Sequence, residues 1–251
     1  MLLTASPIRT AGPAAAGAAL SVAALLPFAW WYAASRFGDP RERAAFVLSV
    51  FWGNLGWLGL PVVAAVLGTG ALPAAVLFGA VVGPQHFLVG ITIAAHAGGA
   101  HTIGGARAWA VAAARNHYLV ATLLGLAYAL AGLPVWHPVV TGANWAIIAS
   151  AAPAFFAFGV VMARAPKRAD RDLLAALAGR FALGPALLAP VALVTHVPAA
   201  FWWQSAAASG MTPLALAAQH GLPRERLAAT VLWSTCAVGA AAAVAVALHL
   251  G

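Results

Sequence analysis

The sequence predicts an all-α polytopic membrane protein, and three observations carry that prediction. The 251 residues are 63% hydrophobic and 7% charged, with a mean hydropathy of +0.92. Soluble domains carry roughly 25% charged residues. The apolar residues gather into about eight runs, each near the ~20 residues that cross a bilayer. The cations between these runs fall almost entirely on alternate loops. One transmembrane domain over residues 1–251 accounts for the whole chain, with the lipid bilayer as its first partner.

The runs are 14–35, 44–67, 72–96, 114–132, 138–163, 173–195, 199–219 and 226–248, here spans a to h. Arg36, Arg41 and Arg43 follow span a. Arg107 and Arg115 follow span c, Arg164, Lys167, Arg168 and Arg171 follow span e, and Arg224 and Arg226 follow span g. The b–c, d–e and f–g loops hold none, and Arg9 alone falls on their side. The positive-inside rule then puts eight spans in a cell inner (plasma) membrane with both termini outside. The larger positive charge follows span a, opposite to a signal peptide. The net charge of +8 is spread over loops and is not a nucleic-acid footprint. Cys236 stands alone, which excludes a disulfide framework or a thiolate metal site.

Two spans are broken. Span b reads Phe51-Trp52-Gly53-Asn54-Leu55-Gly56-Trp57-Leu58-Gly59-Leu60-Pro61, and span g reads Ser209-Gly210-Met211-Thr212-Pro213-Leu214. Proline clashes with the carbonyl four residues back, which puts the breaks at Trp57 and Ser209. A break in lipid survives where it is buried in protein or lines a cavity. Gly68 and Pro73 follow the first, Gly221 and Pro223 the second, in spans of opposite direction. That is the mark of an inverted repeat, with 14–96 as an incomplete first repeat and 114–248 as the second. Spans d and e lack partners, so two N-terminal spans are expected to be missing from a complete five-plus-five protein.

These residues give the chain a resemblance to the auxin efflux carrier family of membrane transport proteins. Asn54 to Pro61 and Gly68 are similar to the family's fourth helix, and Asn116 with Leu123-Leu124-Gly125 to its sixth. Pro153 and Gly159 suit the seventh, Arg180 with Pro185 the eighth, and Met211-Thr212-Pro213, Gly221 and Ser234-Thr235 the ninth and tenth. The chain departs from the pattern at Asn116-His117, at Thr212, and in the absence of the first helix and most of the second. The resemblance implies a bile-acid-symporter-like inverted-repeat fold. Its two broken helices cross in a transport domain that moves against a scaffold, and relatives dimerise. It also implies auxin-like or dicarboxylate-like substrates.

The chemistry of the spans agrees with a secondary transporter of small organic anions. Each break aims the positive end of a following half-helix at the membrane centre. All five acids, Asp39, Glu42, Asp170, Asp172 and Glu225, lie in or beside inside loops, so no span interior supplies a carboxylate relay. The candidate substrate-binding residues are Asn54, Gly59, Pro61, Gln85, His86, Thr212 and Pro213. Asn54 either binds substrate or bonds a freed carbonyl. Gln85 either lines the site or joins helices. His86 is the titratable group nearest a span centre, either a proton carrier or a satisfied core histidine. Arg180 is expected to snorkel to the inside surface or pair, with substrate contact as the alternative. Asn116 and Ser234 are expected to cap or bridge helices, and Trp30, Trp31, Trp136, Trp202 and Trp203 to form an aromatic belt.

Two further readings compete. One is a truncated carrier with little transport activity of its own. The other is a membrane enzyme using His96, His101 and His117. His96 and His101 have no nearby acid or cysteine, so no metal is expected. No zinc-protease, nucleophile-elbow or phosphate-loop motif is present, and no cofactor or enzyme activity is expected.

Overall fold

The computed structural model describes residues 5–99, 117–134 and 169–250, with isolated positions between 114 and 165. All regular elements among the described residues are helical. Four helices are long and apolar enough to cross a membrane: Ala11–Arg36, Thr69–Ala97, Arg171–Val194 and Arg224–Leu248. They correspond to spans a, c, f and h. Spans b and g are each two shorter pieces. Span e, Asn116, His101 and the cations Arg107, Arg115, Arg164, Lys167 and Arg168 lie wholly or largely outside the described residues.

In chain order, α1 (Ala5–Ala23) and α2 (Leu25–Arg36) make span a. α3 (Pro40–Phe51), a π turn (Leu55–Gly59) and α4 (Leu60–Leu67) make span b. α5 (Leu72–Ala97) is span c, and α6 (His117–Leu130) lies in span d. α7 (Arg171–Ala178), a second π turn (Gly179–Leu183) and α8 (Gly184–Val194) make span f. α9 (Ala199–Ser205) and α10 (Thr212–His220) make span g, and α11 (Arg224–Leu250) is span h.

Local chemistry sets the helix ends. Asp39 caps α3 by accepting from the Arg41 N–H at 2.9 Å, with Pro40 at the first helical position. Asp170 caps α7 by accepting from the Leu173 N–H at 2.7 Å. Gly221 ends α10 in the left-handed region at φ 66°, where a Cβ is strained.

The breaks do not fall where the prolines alone place them. Pro61 and Pro213 sit in the first turns of α4 and α10, where a missing N–H costs nothing. The chain leaves helical geometry upstream, at Trp52–Asn54 and at Ala206–Met211. In span b the π turn absorbs the misfit, with the Gly59 N–H reaching back to the Asn54 carbonyl at 2.9 Å. In span f the second π turn lies just before Pro185, so Pro185 bulges that helix instead of breaking it.

α3 is the central helix. Every residue from Ala44 to Phe51 is buried, and α3 packs against α2, α5 and α11. The half-helices after the breaks, α4 and α10, both pack on α5 and on α11. α1 lies against α5 and α8.

Three of the four loops predicted to share one side meet, and the c–d loop lies largely outside the described residues. Asp172 at the start of α7 accepts from Arg36 Nε and from the Tyr32 hydroxyl, each at 2.9 Å. Arg226 at the start of α11 pairs with Glu42 at 3.1 Å and with Asp172 at 3.4 Å. Its guanidinium also lies 4.3 Å from the Phe37 ring centroid. The a–b, e–f and g–h loops therefore share one face.

Candidate functional site: the crossing of two broken helices

The two breaks cross and pair. Gly53 and Ser209 form an antiparallel bridge. The Asn54 N–H donates to the Ala208 carbonyl, and the Gly210 N–H donates to the Trp52 carbonyl, each at 2.7 Å. Two helix interruptions, each costly alone in an apolar medium, thus satisfy each other's backbone. Ser209 completes the join. Its hydroxyl donates to the Ser49 carbonyl at 2.9 Å, and its N–H donates to the Ser234 hydroxyl at 2.9 Å. The bridging role expected of Ser234 is what the structure shows.

Arg180 is the largest departure from expectation. It is 3% exposed and does not snorkel. The second π turn points its guanidinium into the crossing. Nε and Nη2 donate to the Ala207 carbonyl at 2.8 and 2.6 Å, and Nη1 donates to the Val50 and Phe51 carbonyls at 2.8 and 3.4 Å. Val50 and Phe51 end α3, and Ala207 lies just past α9. One buried cation therefore covers the negative ends of both half-helices that enter the crossing. A Cβ at Gly53 would sit 2.7 Å from Arg180 Nη2, so a side chain there would have to displace the guanidinium.

Asn54 is buried beside the bridge, and its Oδ1 accepts from the Leu58 N–H at 3.3 Å. It caps the π turn. Gly59 is buried against the Gln204 amide oxygen, where a side chain would collide. Thr212 is half-buried at the first position of α10, with Pro213 buried behind it. His86 is 3% exposed, in edge contact with Phe51 at 5.1 Å and stacked on Trp52 at 5.7 Å between ring centroids. The structure thus brings Asn54, Gly59, His86, Thr212 and Pro213 to the crossing. It turns Gln85 away, with Nε2 donating to the Ala19 carbonyl of α1 at 3.2 Å. Pro61 is exposed on α4.

Gln204 went unseen in the sequence. It is 1% exposed and donates to the Leu55 carbonyl at 3.2 Å, while its Oε1 has no partner among the described residues. The signal was present: an amide within the apolar run Phe201-Trp202-Trp203-Gln204 just before the second break. Trp52 locks the assembly by packing where Gly90 of α5 and Gly210 of the second break leave room for its ring. Among the described residues no group of His, Cys, Asp and Glu could hold a metal. His117 is exposed at the start of α6, and His96 lies near the end of α5.

No protein-family model and no curated protein matches the chain.

Proposed function

We propose that this chain is a secondary transporter of small organic anions of the auxin efflux carrier kind, with the crossing as its binding site. In this reading eight spans lie in the plasma membrane, and the crossing faces each side in turn. The observation that carries the reading is the charge balance at the crossing. Four helix ends meet there, each worth about half an elementary charge. Arg180 offsets the two negative ends, those of α3 and α9. The positive starts of the π turn leading into α4 and of α10 are left, with no acid side chain from the described spans to balance them. The described acids are engaged or placed at helix starts on the loop face. The locus therefore carries about one net positive charge, suited to one carboxylate. The unpaired polar atoms around it suit a ligand with donors and acceptors. The shared packing of α4 and α10 between α5 and α11 supports the inverted repeat.

The test is uptake of labelled indole-3-acetate and labelled succinate into proteoliposomes. Uptake above protein-free vesicles is expected, together with loss of at least about tenfold in Asn54→Ala, equivalent to about 1.4 kcal/mol. Absence of uptake for both probes counts against anion transport. Uptake indifferent to Asn54→Ala counts against this site.

A further inference from the structure

His86 lies in the middle of α5 and touches the crossing through Phe51 and Trp52. Its Nε2 is fully buried and has no partner among the described residues. A buried acceptor without a donor is costly, so the arrangement asks for an occupant.

The surroundings restrict what that occupant is. Of the elements packed on α5, α4 and α9 bring no titratable side chain, and neither does α1 from Ala11 onward, its Arg9 lying in the turns before that. α3 keeps Arg41, Glu42 and Arg43 in its first turn at the loop face. α6 carries His117 and Tyr128 at exposed positions, and α10 ends in His220. His96 of α5 is near that helix's last turn. The buried charged group at the crossing is Arg180, whose Nη1 donates to the carbonyl of Phe51, the residue whose ring His86 touches. A lone proton on Nε2 would put a second positive charge beside a buried guanidinium and two positive helix ends. A carboxylate arriving with that proton removes the conflict. With a dicarboxylate the proton on the imidazole cancels one carboxylate, and the second carboxylate is left to balance the net positive charge of the crossing.

We propose that His86 Nε2 binds one proton that accompanies each dicarboxylate into the crossing, making this chain a proton-coupled dicarboxylate symporter. The proposal rests on the anion-carrier reading. The proton comes from the aqueous side that admits the anion and leaves with it on the other. Because binding takes up a proton, affinity rises as pH falls, by up to about tenfold per pH unit.

The experiment is titration calorimetry of the full-length protein in lipid nanodiscs, with succinate as the probe. It is run near pH 7, where succinate is ionised, in two buffers of different ionisation enthalpy. The wild type is expected to take up about one proton per bound succinate. His86→Gln should take up none and bind with pH-independent affinity. In the wild type, NMR of nitrogen-labelled histidine should show one imidazole changing protonation on succinate addition, which needs no variant to fold. Binding without proton uptake, uptake that survives His86→Gln, or unchanged imidazole signals overturn the proposal and leave anion binding intact. Failure of the wild type to bind either succinate or indole-3-acetate overturns the anion reading and this proposal with it.

Discussion

Replacing Arg180 with Met removes the cation that, among the described residues, joins the two entering half-helices, while keeping much of the side-chain volume. Three carbonyls lose donors: Val50, Phe51 and Ala207. At about 1–3 kcal/mol for each buried acceptor left bare, the gross loss is about 3–9 kcal/mol. Relief from burying a guanidinium returns several kcal/mol. The net loss is then about 1–5 kcal/mol. The assay is reversible unfolding in mixed detergent micelles, followed by tryptophan fluorescence. Arg180→Lys keeps the charge but not the fork that reaches both Ala207 and Val50, so it should recover only part of the loss. Arg36→Ala is the control: its pair with Asp172 is 38% exposed on the arginine side and should cost about 1 kcal/mol or less. An Arg180→Met loss no larger than that of Arg36→Ala would refute the crossing as described.

Other outcomes follow from the same geometry. Gly90→Ala and Gly210→Ala drive a methyl into the Trp52 ring and should each cost about 1–3 kcal/mol by overpacking. Gly56→Ala meets nothing within 4 Å and should unfold like the wild type in the same assay. Gly221→Ala forces a side chain into the left-handed region at φ 66° and should cost about 1 kcal/mol. For sidedness, single cysteines in a Cys236→Ser background at Arg36 and Arg224 should react with an impermeant maleimide from one face of the membrane. A cysteine at His196 should react from the other. Reaction of all three from one face contradicts the span assignment.

Much of this fold is legible in the sequence because bilayer thickness and loop charge are local signals. Spans a, c, f and h appear as long apolar helices, and the cation-bearing a–b, e–f and g–h loops meet through Arg36, Asp172, Arg226 and Glu42. The prolines showed which spans are interrupted but misplaced the interruptions. Proline chemistry is local, whereas the actual breaks sit where two distant segments can bridge, Gly53 to Ser209. Arg180 was misjudged for the same reason. Seven residues into a span, snorkelling is the local expectation. The carbonyl cluster that holds it is assembled from α3 and α9, far away in sequence. Gln85 and His86 are neighbours with opposite fates, one facing α1 and one facing the crossing, because consecutive helical residues diverge by ~100°.

The claim that a carboxylate binds where the broken helices cross is tested most directly by ligand protection at Thr212. That residue begins α10, is half-buried, and makes no side-chain hydrogen bond among the described residues. Thr212→Cys in a Cys236→Ser background is labelled with a maleimide in the presence of succinate, indole-3-acetate or chloride. The account predicts that at least one carboxylate slows labelling severalfold while chloride does not, and that a cysteine at His196 is unaffected. Equal labelling rates at Thr212→Cys with and without either carboxylate would contradict it.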